Sequence, residues 1–326
     1  MSKVKSYLSL IKFSHTIFAM PFAMIGFFLG IFKGGEVVVE ARQWNLNQTI
    51  RWENDDKPEK YIDKSNWMVA EEQFDIKPLL ILLLLVILCM IFARSAAMAF
   101  NRYLDRQFDA KNPRTAIREI PAGIIHANSA LLFTIICSVL FILCCFFINR
   151  LCFYLSPVAL LVVLGYSYTK RFTPLCHLIL GLGLSLAPIG AYLAVTGQFA
   201  LLPVLFSIAV ICWVSGFDII YALQDEEFDK AEQLHSMPAW LGKGKALRVS
   251  EGLHVLSTAT VVAAGFYGRF GWLYWAGMAV FAGMLIYQHI IVKPNDLHRV
   301  NLAFMTANGI ASVIFAAFVI ADMLWL

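Results

Sequence analysis

Apolar stretches about twenty residues long recur along most of this chain, separated by short polar segments. They run over approximately 13–32, 78–100, 126–148, 151–168, 174–196, 201–223, 250–268, 271–292 and 302–324. A helical crossing of the hydrocarbon core needs roughly 20 mostly apolar residues. The pattern therefore predicts an all-α, polytopic membrane protein of about nine transmembrane helices. Only Asn149 and Arg150 separate the third and fourth stretches, which predicts a tight antiparallel hairpin. One segment breaks the rhythm. From about Lys33 to Lys77 the chain mixes Glu40, Arg42, Glu53, Asp55, Asp56, Lys57 and Glu59 with Trp44, Trp52 and Trp67. It is too polar to span and reads as an outer loop insertion in an otherwise single membrane-embedded domain, 1–326.

Composition supports a bilayer as the solvent. Hydrophobic residues make up 60% of the chain and charged residues 15%, against about 25% charged in soluble globules. A net charge of +4, with no basic run or zinc-finger spacing, gives no reason to expect a nucleic-acid partner. Seven cysteines lie in or beside apolar runs without a CxxC pair and read as small hydrophobic fillers. No small-residue cleavage site follows the first apolar run, so no signal peptide is expected. Basic residues set the orientation. With the N-terminus in the cytoplasm, the loop lysines and arginines outside the 33–77 insertion fall on that side, apart from Arg150 and Arg269 in the short outer turns.

Two segments at the basic edge change the picture from membrane protein to enzyme. The first reads Asn101-Arg-Tyr-Leu-Asp105-Arg-Gln-Phe-Asp109, ending at Pro113 with Arg114 and Arg118 beyond. Spacing by four puts Asn101, Asp105 and Asp109 on one helix face. The second places Asp218, Tyr221, Asp225 and Asp229 at offsets that again share a face. Clustered carboxylates raise one another's pKa unless a cation neutralises them. Oxygen-only ligands point to a hard divalent ion, and magnesium fits if a substrate diphosphate supplies further oxygens. Arg114, Arg118, Lys170 and Arg171 are placed to complement that diphosphate. A single acidic stripe at a helix end could be simple solvation; two of matching spacing on the same side are hard to explain that way.

These residues resemble a family. NRYLDRQFDAKNPRT is similar to the first aspartate motif of the UbiA superfamily of intramembrane prenyltransferases, and DIIYALQDEEFD to the second. YSYTKRFTP, Tyr166 to Pro174, resembles the basic segment of its 4-hydroxybenzoate polyprenyltransferase branch. The resemblance implies a helical bundle around a central cavity open to lipid, with polyprenyl diphosphate bound through Mg2+ at the cytoplasmic mouth. It implies that Asp105 and Asp109 hold one magnesium and Asp225 and Asp229 another, assisted by Asn101. Asp218 and Tyr221 then lie near the reacting carbons. Two positions depart from the pattern: Arg102, where many members have Asp, and His235-Ser-Met-Pro238, where a Lys-Ser pair is common. With the lack of a targeting peptide, the resemblance also implies a bacterial inner membrane.

The expected chemistry is ionisation of the diphosphate followed by aromatic substitution. Phe100, Tyr103, Tyr166, Tyr168 and Tyr221 are candidate walls for the allylic cation, and Asp218 the candidate base. The acceptor is left open between a 4-hydroxybenzoate and a naphthoate, for ubiquinone or menaquinone. His15 in the first helix is a candidate acceptor contact. His177, His254, His289 and His298 have no partner at metal-ligand spacing and receive no role. Gly26, Gly30, Gly181 and Gly183 read as close helix packing. A transporter is the rival class, but carriers usually place their ionisable residues near the midplane. A non-catalytic scaffold leaves the paired stripes unexplained.

Overall fold

A computed structural model describes residues 3–11, 18–34, 36–41, 46–51 and 77–325. His15 and much of the 33–77 insertion lie outside the described residues. Among those described, eight helices are long and apolar enough to cross a membrane, and a ninth apolar helix, Met20–Lys33 (α2), has 14 residues. The long helices are α3 (Lys77–Leu104), α5 (Ala127–Ile148), α6 (Arg150–Thr169), α7 (Cys176–Thr196) and α8 (Leu201–Ala222). They continue with α11 (Lys243–Tyr267), α12 (Trp272–Ile291) and α13 (Asn308–Trp325), the last entered through a π-turn, Leu302–Ala307. The predicted hairpin is present: Asn149 caps α6 by accepting from the Cys152 N–H at 2.8 Å, and its amide donates to the Leu193 carbonyl.

Short helices occupy the connections: α1 (Lys3–Leu10) at the start, α4 (Arg106–Lys111), α9 (Glu226–Ala231) and α10 (Met237–Leu241). Leu10 of α1 packs with Ala99, Ile125 and Ala130, and Ser9 hydrogen-bonds Glu119. The N-terminal helix thus lies at the same end of the bundle as the first aspartate segment. Within the insertion, Glu36–Ala41 (β1) and Leu46–Arg51 (β2) pair antiparallel, from Glu36 opposite Arg51 to Ala41 opposite Leu46. The plain loop expected there therefore contains a short hairpin, consistent with the β-branched Val37–Val39 run.

The core centres on α8. Trp213, Phe206, Ile219 and Ile220 of this helix are fully buried. Trp213 and Phe206 pack with Phe22 of α2, Phe281 of α12 and Phe315 of α13. Two buried donors in this layer share one acceptor, as an apolar surrounding favours: Asn308 Oδ1 accepts from Trp213 Nε1 at 2.8 Å and Gln288 Nε2 at 2.9 Å. Gly26 meets the Pro188 backbone so closely that a Cβ would collide with its carbonyl oxygen. Close packing is indeed the role of that glycine. All seven cysteines are free.

Candidate active site

Both aspartate segments leave their transmembrane helices by a backbone irregularity centred on an aspartate. Asp105 (φ −87°, ψ 5°) and Asp225 (φ −103°, ψ 5°) sit in the bridge region, and each starts a six-residue helix, α4 or α9. The expectation of one uninterrupted helical face is corrected in different ways. At the first break the helical hydrogen bonds persist, Asp105 N–H to Asn101 O at 2.9 Å and Asp109 N–H to Asp105 O at 2.7 Å. Asn101, Asp105 and Asp109 therefore still share a face. At the second, Leu223–Asp225 winds as a 3₁₀ turn. Its tighter winding rotates the next residues by about 60°, and Asp229 ends with no exposure at all.

Every aspartate of the two segments faces a basic group, and most of these groups come from elsewhere in the chain. Arg114 donates to Asp225 through Nε at 3.0 Å and Nη2 at 2.5 Å, and through Nη1 to the Tyr221 hydroxyl at 3.0 Å. Asn112 explains this reach. Restricted by Pro113, it is extended, its side-chain oxygen accepts from the Arg114 N–H, and its amide donates to Asp225 Oδ1. Arg118 donates to Asp109 Oδ1 at 2.5 Å, and buried Arg102 lies 4.0 Å from Asp109 Oδ2. Lys170 lies 2.7 Å from Asp229, and Arg171 lies 3.3 Å from Asp105. Asn101 donates to Asp105 at 3.0 Å. Across the surface, Lys111 pairs with Glu232 at 2.6 Å and ties the two segments together.

The electrostatics reflect this crossing. Burial works against the Arg114 guanidinium, but the Asp225 hydrogen bond and charge prevail and raise its pKa. Burial likewise opposes the Lys170 ammonium, and Asp229 more than offsets it. Asp105 is held above the usual carboxylate range by burial first and by Asp109 second, against the pull of Arg171.

The arrangement fits a hard cation. Asp109 Oδ2 and both Asp229 oxygens are buried without an aligned hydrogen bond, despite the nearness of Arg102 and Lys170. No three His, Cys, Asp or Glu side chains among the described residues form a ready cage. Buried carboxylate oxygens of this kind are the donors a hard divalent cation takes, one or two at a time, completing its shell with phosphate and water.

Three residues without an expected role join the site. His177 Nδ1 lies 2.6 Å from Asp218 Oδ2, and the Met237 N–H donates to His177 Nε2 at 3.2 Å. Nε2 must therefore hold a lone pair, so Nδ1 carries the proton and donates to Asp218. His177 is 41 residues from Asp218, a separation with no sequence signal; Arg102 and Asn112 lay within the motif but without a motif role. Of the five expected aromatic walls, Tyr166 lines a cavity of about 380 Å³. Phe100 instead packs against Tyr168, Tyr103 lies under Arg106, Tyr168 faces Arg171 and is 45% exposed, and Tyr221 packs at a tilt against Phe304. The cavity, between α3, α5, α6 and α7, is lined almost entirely by apolar side chains. It runs from Met98, Tyr166 and Leu180 to Ile148, Cys152 and Leu193, or about 20 Å along α7.

Comparison with known proteins gives a consistent result. The UbiA prenyltransferase family model matches residues 66–313. A 4-hydroxybenzoate octaprenyltransferase from Tolumonas auensis is 32% identical over 246 residues, 73% of this chain and 84% of that protein. One from Nitrosospira multiformis is 30% identical over 254 residues, 78% and 86% of the respective chains. The apo structure of a UbiA homolog from Aeropyrum pernix K1 superposes with a TM-score of 0.75 at 28% identity, covering 95% of this chain and 98% of that one. A UbiA homolog from Archaeoglobus fulgidus bound to GPP and Mg2+ shares the fold, with a TM-score of 0.64 at 19% identity, covering 98% and 99%. With paired acidic segments at one end of a membrane bundle, and a family model covering most of the chain, this protein belongs to the UbiA prenyltransferase family and is an integral membrane prenyltransferase.

Proposed function

We propose that the protein transfers a polyprenyl group from its diphosphate to a 4-hydroxybenzoate-like acceptor, with magnesium bound at the two aspartate segments. One observation carries this reading: carboxylates and basic side chains from three connections meet beside the end of a long apolar cavity. The Tolumonas and Nitrosospira relatives support the acceptor class, and the GPP and Mg2+ carried by the Archaeoglobus homolog agree with the donor and the ion. Residues 1–326 are read as one catalytic domain in a bacterial inner membrane. The basic bias of the site end supports a cytoplasmic active site.

Asp105, Asp109, Asp225 and Asp229 would hold magnesium, with Asn101 orienting Asp105. When bound, the metal supplies Lewis-acid stabilisation of charge on the leaving diphosphate. Arg114, Arg118, Lys170 and Arg171 bind the diphosphate oxygens and stabilise their charge as the allylic C–O bond breaks. The apolar cavity takes the isoprenoid chain and excludes water from the allylic cation, with the Tyr166 ring nearby. Tyr221, held by Arg114, borders the reacting carbons. The acceptor ring carbon bonds to the allylic carbon, and its proton passes to Asp218. His177 donates its Nδ1–H to Asp218, fixing that carboxylate as an oriented acceptor.

Membranes containing the protein, given geranyl diphosphate with 4-hydroxybenzoate or a dihydroxynaphthoate, test the reading by mass spectrometry. The expected result is a prenylated benzoate that disappears with chelator and returns with magnesium. Product from the naphthoate alone would move the assignment to that acceptor. Undiminished product under chelation would remove magnesium from the scheme.

A further inference from the structure

The end of the cavity farthest from the aspartate edge gathers thiols. Cys89 of α3, Cys144 and Cys145 of α5 and Cys152 of α6 converge there, four of the seven cysteines, from three helices. Cys89, Cys145 and Cys152 line the cavity. Cys89 Sγ and Cys145 Sγ lie 3.8 Å apart, although the residues are 56 apart in sequence. Cys144 also meets Cys89, and Cys145 interacts with Cys152. A small apolar filler needs no particular neighbour, so burial alone does not account for two sulfurs in contact across the α3–α5 interface. Cys145 stands three residues before the end of α5 at Ile148, about 5 Å along the helix, beside the Asn149–Arg150 hairpin. Cys89 precedes Met98, at the other end of the cavity, by nine residues, or about 14 Å. The pair is thus well separated from the aspartate site.

We propose that Cys89 and Cys145 form a reversible disulfide between α3 and α5, with a lipid-soluble quinone as the oxidant. Closing the gap from 3.8 Å to a bond of about 2 Å asks each sulfur to move by about 1 Å, within reach of side-chain rotation. The surroundings select the oxidant. The cavity is lined almost entirely by apolar side chains, where a separated charge is costly. Oxidation there must therefore move electrons and protons together. A quinone allows this: two S–H bonds break, one S–S bond forms, and the two electrons and two protons pass to the quinone oxygens, giving a hydroquinone. No ion is left behind. A quinone with an apolar tail also partitions into such a cavity. An added dithiol reverses the step by thiol–disulfide exchange. The link joins α3, whose other end carries Asn101, to α5, and so ties the cavity wall to the oxidation state of the surrounding lipid. It goes beyond the proposed prenyl transfer and does not depend on it.

The test uses full-length protein in detergent, reduced and then freed of reductant without air. Duroquinone is added, since its fully substituted ring offers a thiol no open carbon. After quenching with a maleimide in denaturant, reduced protein should carry seven adducts and oxidised protein two fewer. Peptide mapping should place the missing pair in a Cys89–Cys145 link, with one hydroquinone formed per protein. Dithiothreitol should restore all seven. Oxidation should raise the thermal midpoint by about 5 °C, because the link closes a long loop. Cys89→Ala should keep all its remaining thiols under the same treatment and show no such rise. Seven adducts after duroquinone, a link between any other two cysteines, or a lasting quinone adduct would overturn the proposal. So would a link that forms with the water-soluble oxidant diamide and not with duroquinone. A link without the rise in midpoint would overturn it as well, since it would not join helices of the native fold. The wild-type map decides the pairing even if the variant fails to fold.

Discussion

The two aspartate segments are similar in backbone and different in chemistry. Each has an aspartate in the bridge region, Asp105 or Asp225, and a deeply buried aspartate four residues later, Asp109 or Asp229. Before the break they diverge. Four residues ahead of the bridge aspartate the first segment has Asn101, bonded to Asp105, and the second has Tyr221, bonded to Arg114. Seven residues ahead stand Met98, which lines the cavity, and Asp218, backed by His177. The first segment also carries its own buried cation, Arg102, whereas the second receives Arg114 and Lys170 from outside. Both halves present carboxylates, but only the second also presents one, Asp218, hydrogen-bonded to a histidine. In the proposed mechanism the first segment positions, and the second both positions and takes the proton.

The sharpest test of their equivalence as ion sites is Asp109→Asn beside Asp229→Asn. Each should lower prenyl transfer at saturating magnesium by about 1,000-fold, measured as product per folded protein. Near-normal turnover in one of them would mean that a single segment suffices. Their inequality is tested by Asp218→Asn, expected to slow turnover about 100-fold, and His177→Phe, expected to slow it about tenfold by releasing Asp218. Met98→Leu, at the matching position of the first segment, should leave the rate within about twofold, since it exchanges similar apolar volumes.

Arg114→Met probes the bridge between the halves. It leaves a buried carboxylate without its bidentate donor and should lower stability of the ligand-free protein by about 1–3 kcal/mol, read from thermal unfolding in detergent. The smallest effect belongs to Asp105→Asn. Because burial and Asp109 hold the Asp105 carboxyl above its ordinary range, its contribution to stability is present in acid. It is lost as pH rises through the raised value. The neutral amide should raise the midpoint by roughly 2 °C at neutral pH, with the gain vanishing below the ordinary carboxylate pKa, while activity falls. A lower midpoint at neutral pH would show that the Arg171 pair outweighs the desolvation.

Much of this architecture was legible because hydrophobic periodicity and span length act locally. The nine apolar stretches, the Asn149–Arg150 hairpin and the acidic segments needed no information from beyond their own neighbourhoods. The helical breaks at Asp105 and Asp225 were not legible, since a four-residue spacing reads the same through a continuous helix or a relaxed turn. His177 was passed over because nothing near it in the chain could pair with it. Tyr103 and Tyr168 were read as cavity walls from residue type alone, and their neighbours Arg106 and Arg171 hold them elsewhere.

By itself the sequence determined which segments enter the bilayer, which edge gathers the charge, and that carboxylates stand there in two sets. Tertiary structure decided which cation faces which carboxylate, which proton His177 carries, and that Cys89 meets Cys145 at the far end of the cavity. The reason lies in range. Burial in a bilayer is dictated residue by residue, whereas a hydrogen bond or ion pair depends on a few ångströms between groups such as Arg114 and Asp225, which are 111 residues apart.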